Sequence, residues 1–289
     1  MIDPFESKIL SAGLYIVATP IGNLSDISER AIYILRHADL VAVEDSRVSG
    51  KLLHHLGLKK KMRPYHDHSD DRVRQDILNI ARNHVVALIS DAGTPLISDP
   101  GYKLVRDARA ANIMVTTAPG PNSAIAALTI SGLPTDRFYF YGFLPNKKKA
   151  RCDALSDIKN INATLIFFEN GARLAASIAD IYDQLGNREI VIAREISKKF
   201  EEVISGSYSE IQERLANNPP KGEIVLMVGP PDEQGPEQGD IRAALAEALD
   251  RLPAGKAAAE ISKRFGVERK DMFDLSAEIR AAKIKSEAS

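Results

Sequence analysis

The 289-residue sequence is poor in several features that would assign it to a specialised class. It has no tryptophan and one cysteine, Cys152, so no disulfide can form within the chain, as is usual for proteins of a reducing cytosol. No apolar run approaches the roughly 20 residues of a membrane span. The amino terminus lacks the basic and apolar segments of a signal peptide. We therefore expect a soluble, cytoplasmic protein.

A surplus of positive charge is also lacking. The 38 Lys and Arg residues are balanced by 39 Asp and Glu residues, which gives a net charge of −1 at pH 7. Proteins that bind nucleic acid through their overall charge are basic. Any contact with RNA must therefore come from local basic segments, and two of these occur, at residues 59–66 and 147–151.

The chain does contain a regular alternation of short apolar runs with amphipathic segments. The runs predict strands at 14–18, 39–43, 85–90, 114–117, 138–143, 164–168, 190–193 and 224–228. Helical spacing between them predicts helices after a capping box at Asp26 and Glu29, up to His55, at 70–82, from Pro100, at 124–130 and at 172–185. This pattern predicts an α/β fold.

The α/β pattern divides into domains at turn-rich segments. Residues 131–135 (SGLPT) separate an amino-terminal α/β domain, 13–130, from a second α/β domain, 131–230. A polar, Pro- and Gly-rich linker then leads to an alanine-rich tail, 240–285, in which Gly266 breaks a helix–turn–helix pattern. The charges of the tail nearly balance, which favours a packing or docking role over strong duplex binding.

Four strand ends in the first domain are rich in Gly, Pro and small polar residues. They are Thr19–Asn23, Glu44–Arg47, Asp91–Pro95 and Pro119–Ser123. In an open α/β sheet, ligands bind outside the carboxyl ends of the strands. One such turn is unremarkable, but four at the same edge of one sheet predict a cleft in which the backbone approaches a ligand closely.

The order of several motifs carries a resemblance to a known family. The segments ATPIGNLSD, AVEDSR, SDAGTPLISDPG, APGPNSA, FFEN, AREISKKFEE and GEIVLMVG follow one another over residues 13–230. In this order they resemble the tetrapyrrole methylase (class III methyltransferase) superfamily, and within it the ribosomal RNA small subunit methyltransferase I family. The tail resembles the helix–turn–helix extension of that family.

This resemblance implies a reaction, a cofactor and partners. It implies two α/β domains with S-adenosyl-L-methionine in the cleft between them, a small helical C-terminal extension and a homodimer. The implied reaction is methyl transfer to the ribose 2′-hydroxyl of a cytidine in the decoding region of 16S rRNA, within the small ribosomal subunit. No metal and no membrane are implied.

The resemblance also implies which residues bind the cofactor. They are Asp91, Ala92, Gly93, Thr94, Pro95, Ser98, Asn122, Ser123, Ala124, Phe168, Glu169, Glu195, Ser197 and Glu223. One of these departs from relatives that act on tetrapyrroles, because Thr94 stands where they carry an aspartate. An acidic contact cannot be expected at that position.

Methyl transfer to a ribose hydroxyl requires positioning and removal of a proton. Candidate proton acceptors are Glu44, Asp45, Asp91 and Glu195, with Glu44 or Asp45 preferred. A structural role for Asp45, capping the next helix and pairing with Arg47, is an equally good interpretation. For Arg47 we favour a contact with a substrate phosphate. Asn23 and Lys198 are secondary candidates, for orientation and for a phosphate contact.

The two basic segments are the candidates for RNA binding. They supply Lys59, Lys60, Lys61 and Arg63 from the first domain and Lys147, Lys148, Lys149 and Arg151 from the second. Such runs are usually only solvated surface, but two of them could flank the cleft and bind phosphates. Tyr65 could stack on a base. The segment His66-Asp67-His68 lacks a third ligand, so we expect no metal there.

Two alternatives remain open from the sequence. One is a methylase of a small-molecule tetrapyrrole, and the other is a ribosome-binding factor that retains the cleft without catalysis. The Thr94 substitution, the Glu-Asp-Ser-Arg segment, the lysine runs and the helical tail favour RNA as the substrate.

Overall fold

The computed structural model describes residues 10–67, 70–217, 220, 222–231 and 238–287. By its internal contacts the chain divides into two compact units, residues 1–230 and residues 231–289. The described part of the first unit contains two five-stranded sheets.

The first sheet is entirely parallel, with the strand order β3-β2-β4-β1-β5. Its strands are β1 (Gly13–Val17), β2 (Leu40–Val43), β3 (Met62–Pro64), β4 (Val85–Ile89) and β5 (Val115–Ala118). Helices α1 (Glu29–His37) and α2 (Ser46–His55) cover one face, and α3 (Asp71–Ala81) and α4 (Tyr102–Ala110) cover the other. Because both faces are covered, β1, β2 and β4 are buried along their whole length, which explains their continuous apolar sequences.

The second sheet is mixed, with the strand order β6-β7-β10-β8-β9. Its strands are β6 (Phe138–Phe143), β7 (Thr164–Asn170), β8 (Ile190–Arg194), β9 (Glu202–Gly206) and β10 (Glu223–Val228). Helices α6 (Lys148–Asp157), α7 (Gly171–Leu185) and α8 (Tyr208–Asn217) pack on one face. The other face is covered in part by α5 (Ser123–Ile130).

The predicted α/β class is confirmed, and every predicted strand is present. Two strands and two helices carry too weak a pattern to be predicted: β3, β9, α6 and α8. The strands lie at sheet edges with half-exposed side chains, and each of the two helices buries only two residues. The boundary between α/β domains at residue 130 stays a prediction, and α5, which precedes it, packs against β7 and β10.

Two predicted helix starts are wrong. The cap of α1 is Ser28, whose hydroxyl accepts a hydrogen bond from the Ala31 amide at 3.1 Å, whereas Asp26 lies in a preceding 3-10 turn. Helix α4 begins at Tyr102 and not at Pro100, because Gly101 has a φ of 137°, which no helical residue adopts. A side chain at Gly101 would also collide with Leu88 and Leu96.

The described part of the second unit, residues 231 and 238–287, is a small bundle of three helices. These are α9 (Gln238–Arg251), α10 (Ala254–Phe265) and α11 (Arg269–Glu287), around a core that includes Leu245, Ala257 and Ile261. Gly266 ends α10 in the left-handed conformation, with a φ of 69°, which confirms the predicted break. Of the helices in the described segments, none is long and apolar enough to cross a membrane.

Candidate active site

A cavity of about 330 Å³ lies in the first unit, at the carboxyl edge of the first sheet, where this edge faces the second sheet. Its first wall comes from the loops that follow β1, β2, β4 and β5. Its second wall comes from β6, β7, the loop after β8 and the start of β10. This is the edge at which open α/β sheets bind their ligands.

Backbone pairing shapes the first wall. Thr19 and Gly93 exchange backbone hydrogen bonds of 2.8 and 3.1 Å, which joins the loops after β1 and β4. Gly93 has a φ of 77°, and a side chain there would approach Ile21 to within 3.3 Å. Glycine is therefore required for the backbone to line the cavity. The Thr94 hydroxyl donates a hydrogen bond to the Pro121 carbonyl at 2.9 Å, which fixes the loop after β5.

The loop from β4 to α4 also holds non-glycine residues in an unusual conformation. Leu96 and Ser98 have φ values of 74° and 62°. Such backbone costs free energy and persists only where the surrounding structure enforces it, most often at functional sites. The turn directs Ile97, Ser98 and Asp99 to the cavity, all of which line it.

Three carboxylates line the first wall: Glu44, Asp91 and Asp99. Burial is the main cause that raises the pKa of Asp99 to about 6; a hydrogen bond from Ser90 opposes it, and the charges of Glu44 and Asp91 add to it. Asp91 accepts a hydrogen bond from the Asp45 amide at 3.0 Å, which anchors the loop after β2. Asp99 is therefore a carboxylate that is ionised at neutral pH and only weakly stabilised in that form.

The structure corrects the position predicted for Asp45 and Arg47. Asp45 caps α2, accepting from the Arg47 amide at 2.8 Å, and it binds the Arg47 guanidinium at 2.5 to 3.1 Å. These hydrogen bonds from Arg47 lower the pKa of Asp45 to about 2. Neither residue lines the cavity, so Asp45 has the capping role and is a poor proton acceptor, while the Arg47 side chain is 87% exposed.

The second wall is aromatic and apolar at its centre. Phe143 and Phe168 meet edge to face, with ring centroids 5.5 Å apart, and Ala193, Ile196 and Val225 extend the surface. Aromatic and apolar side chains of this kind are usual where a planar ligand group is bound.

Charged residues border this apolar surface. Lys198 donates to Glu195 at 3.1 Å and to Glu223 at 2.8 Å. Burial alone would raise the pKa of Glu195, but the hydrogen bonds from Lys198 and from the Glu223 amide outweigh it, so the pKa is lowered. Glu169 is buried and accepts from the Ser177 hydroxyl at 2.6 Å and the Asn170 amide at 2.9 Å, so its carboxylate holds the start of α7.

Most residues predicted to bind the cofactor line this one cavity. They are Asp91, Ala92, Gly93, Thr94, Ser98, Asn122, Ser123, Phe168, Glu169, Glu195 and Glu223. Pro95, Ala124 and Ser197 do not line it. Pro95 and Ala124 are buried, Ala124 in the core under α5, and the Ser197 hydroxyl donates to Asp26. Of the secondary candidates, Lys198 lines the cavity, whereas Asn23 caps the 3-10 turn.

The first basic segment does not flank the cleft as predicted. Lys59, Lys60 and Lys61 precede β3, and the sheet is parallel, so they lie at its amino edge, opposite the cavity. Lys60 donates to the Ala38 carbonyl at 2.9 Å, and Arg63 binds Asp76 at 2.7 Å.

Tyr65 and Arg151 are also unavailable to RNA. Tyr65 is 1% exposed and donates to Asp67, so its ring cannot stack on a base. Arg151 is buried and forms an ion pair with Asp180 at 2.5 Å, because α6 packs this side of its helix against α7.

The second basic segment keeps its lysines at the surface. Lys147, Lys148 and Lys149 are exposed at the start of α6, just beyond the cavity residue Phe143, and Lys148 lies 3.5 Å from Asp180. As to metals, no group of three or more potential metal ligands is found among the described residues, and His68 lies outside them.

Sequence reasoning missed several residues that line the cavity, and Asp99 and Phe143 are the two with the clearest chemical roles. Asp99 lies in Ser98-Asp99-Pro100-Gly101, which has the composition of an ordinary turn. Phe143 ends a strand rich in aromatic residues, where only Gly142 in the strand interior hinted at a bulge.

Comparisons with known proteins identify the family of the chain. Residues 13–212 match the family model of tetrapyrrole (corrin/porphyrin) methylases, and residues 235–280 match that of the RsmI C-terminal HTH domain. The chain is 53% identical over 275 residues to ribosomal RNA small subunit methyltransferase I of Erythrobacter litoralis, covering 95% of this chain and 98% of the relative. It is 43% identical over 270 residues to the protein of that name from Escherichia coli O157:H7, covering 92% and 94%.

Solved structures share the fold at low identity. A diphthine synthase superposes with a TM-score of 0.59 at 14% identity, covering 75% of this chain and 89% of that one. A cobalt precorrin-4 methyltransferase superposes with a TM-score of 0.56 at 15% identity, covering 75% and 94%. Together with the family models and the close curated relatives, these matches show that the chain belongs to the tetrapyrrole methylase superfamily and, within it, to the ribosomal RNA small subunit methyltransferase I family.

Proposed function

We propose that this protein transfers a methyl group from S-adenosyl-L-methionine to the ribose 2′-hydroxyl of a cytidine in small-subunit 16S rRNA. The observation that carries the proposal is one cavity with an acidic wall and an aromatic wall, in a chain 53% identical to a protein named for ribosomal RNA methylation. The target in the decoding region and the cytoplasmic location follow from family resemblance.

The side chains that line the cavity suit the chemical groups of S-adenosyl-L-methionine. Glu44 and Asp91 offer carboxylates to the cationic part of such a molecule, and Phe168, Ile196 and Val225 offer an apolar surface to its adenine. The cofactor supplies an electrophilic methyl group on its sulfonium. The protein's own contribution is to orient the ribose, exclude water and accept a proton.

Asp99 is the residue best suited to accept the proton of the ribose hydroxyl. It lines the cavity, and its pKa of about 6 leaves it ionised yet basic near neutral pH. Asp45 lacks both properties. Glu44 also lines the cavity, and its charge keeps Asp99 basic.

RNA approaches the cleft over exposed cations that lie beside it. Lys147 and Lys149 at the start of α6 bind phosphates, and Arg47, held by Asp45 in the segment that follows the cavity residue Glu44, provides a further exposed guanidinium. Such contacts position the RNA without reading its sequence.

The assembly that we propose is a homodimer. Ile125 and Ile130 on α5 and Phe138 and Tyr139 on β6 are large apolar side chains that the single chain leaves 39 to 45% exposed. A second copy would cover such surface. Sedimentation equilibrium of the full chain tests this, and a monomer at micromolar concentration would contradict it.

The function is tested by a labelling experiment with two substrates. The protein is incubated with methyl-labelled S-adenosyl-L-methionine and either undermethylated small ribosomal subunits or uroporphyrinogen. We expect label only in the RNA, recovered after digestion as a 2′-O-methylated cytidine. Label in uroporphyrinogen would assign a small-molecule methylase, and label in neither substrate would support a binding factor without catalysis.

A further inference from the structure

Strand β6 contains an irregularity that changes the direction of its last side chain. Phe140 pairs with Ile166 and Gly142 pairs with Phe167, so Tyr141 is an extra residue in the ladder. Side chains alternate between faces along a regular strand, which would place Phe140 and Phe143 on opposite faces. The bulge places both on the same face, where each ring contacts Phe168.

Gly142 makes this bulge possible. Its φ is 83°, which favours glycine, and a Cβ atom there would lie 3.0 Å from the Ser98 hydroxyl on the opposite wall. The two walls therefore meet tightly at Gly142, and Phe143 emerges immediately beside this contact. Bulges next to active sites commonly re-aim a side chain in this way.

The ring of Phe143 is left open to solvent although it lines the cavity. It is 57% exposed, and its known ring contact, with Phe168, is edge to face at an interplanar angle of 63°. An edge-to-face contact leaves a broad face available for stacking on a planar partner. Lys147 and Lys149, both exposed, follow four and six positions later, where the phosphates of a stacked nucleotide would need cations.

We propose that Phe143 is a platform on which a nucleobase of the RNA substrate stacks at the mouth of the cleft. This proposal rests on the proposed function, because it takes RNA as the substrate. The alternative planar partner is the adenine of the cofactor. The exposure of Phe143 favours the RNA base as its partner. The more enclosed apolar residues Phe168, Ala193 and Val225 suit the adenine, because that group is buried in the cavity.

The experiment compares Phe143→Ala, Phe143→Leu and Phe143→Trp with the wild-type protein. Filter retention measures the affinity for undermethylated small subunits without turnover, and titration calorimetry measures the affinity for S-adenosyl-L-methionine. Stacking on an aromatic ring predicts that Phe143→Ala and Phe143→Leu weaken subunit binding by about 5- to 150-fold. We expect Phe143→Trp to retain the affinity and cofactor binding to be unchanged in all three.

A matched control and a second measurement separate stacking from loss of apolar surface. Tyr182→Ala removes an aromatic ring that is 39% exposed on α7, outside the cavity and outside the proposed dimer surface, and is expected to leave subunit affinity unchanged. Ultraviolet cross-linking of the wild-type complex, followed by mass spectrometry, should link a nucleotide to the peptide that contains Phe143.

Each contrary result has a distinct meaning. Weaker cofactor binding with normal subunit binding would place the cofactor's adenine on Phe143 and overturn the proposal. An altered oligomeric state with normal subunit binding would assign the ring to an interface between copies, which also overturns it. Because binding needs no turnover, it tests the stacking even if the protein labels uroporphyrinogen, and an absence of subunit binding would then refute both proposals.

Discussion

The two walls of the cleft are built in different ways and carry different chemistry. The first wall consists of loops at the ends of parallel strands and presents Glu44, Asp91 and Asp99. The second wall consists largely of strand residues of a mixed sheet and presents Phe143 and Phe168. Loops with strained backbone place polar groups closely around a reacting atom, whereas a sheet face provides a flat surface. The proposed proton transfer therefore belongs to the first wall and the proposed ligand stacking to the second.

The largest expected effect is the loss of the proton acceptor on the first wall. Asp99→Asn should lower the rate of methyl transfer by about 10²- to 10⁴-fold, because an amide cannot accept the proton of the ribose hydroxyl. Single-turnover labelling of undermethylated subunits measures this rate. In the wild-type protein the rate should fall as the pH drops through about 6, where Asp99 becomes protonated.

Asp45→Asn is the matched control for this prediction. It makes the same chemical change one loop away, in a residue that only caps α2 and holds Arg47, so the loss should be much smaller. Equal losses in both variants, or a normal rate in Asp99→Asn with normal cofactor binding, would remove Asp99 from the mechanism.

Asp99→Asn should lower the rate of methyl transfer but increase the stability of the folded protein. The pKa of Asp99 is about 6 in the folded protein against an ordinary value of 3.8, so the folded state holds its proton more tightly. Its contribution to stability is therefore greatest below pH 3.8 and is lost as the pH rises through 6. Asp99→Asn should consequently raise the melting temperature at pH 7 but change it little at pH 4, and calorimetry at both pH values measures the difference. A lower melting temperature of Asp99→Asn at pH 7 would contradict the conclusion that the buried, ionised Asp99 carboxylate destabilises the folded protein.

Asp99 and Phe143 show how far the sequence predicts the site. Local composition marked the strand end that holds Gly93 and Thr94, and the family resemblance indicated Phe168. Asp99 faces the cavity only because Ser98 adopts a positive φ, and Phe143 does so only because Tyr141 is extra in its ladder. Neither geometry follows from the local pattern of apolar residues.

The sequence does not reveal the contacts of the basic residues, for a related reason. Lys60 finds its acceptor, the Ala38 carbonyl, 22 positions away, and Arg151 finds Asp180 at a distance of 29 positions. A run of cations in a sequence does not reveal which of its members have partners across the fold. The strands and most helices were predictable, because burial imposes its period directly on the sequence.

The next largest effect is on stability and concerns Arg151, which holds the segment after Phe143 in the second wall. Arg151 pairs with Asp180 and also donates to the carbonyls of Pro145 and Asn146, directly after Phe143. Arg151→Met should destabilise the protein by up to about 3–5 kcal/mol, because the buried Asp180 carboxylate would keep only the exposed Lys148, 3.5 Å away, as a cationic partner. Urea unfolding measures this loss, and Lys149→Met, an exposed residue on the same helix, is the control that should change little. A stable Arg151→Met variant with weakened RNA binding would return Arg151 to the phosphate-binding set.

The smallest effect distinguishes the two basic segments. Lys147→Gln with Lys149→Gln removes two exposed cations beside the cleft, whereas Lys59→Gln with Lys61→Gln removes two at the opposite edge of the first sheet. Each lost phosphate contact should reduce the slope of log affinity against log salt by about 1. We expect a reduction of about 2 for the first pair and none for the second, measured by filter retention of small subunits between low and physiological salt. Equal slopes in the two variants would mean that RNA binding depends on the charge of the whole surface, and the second wall would then have no special part in holding the substrate.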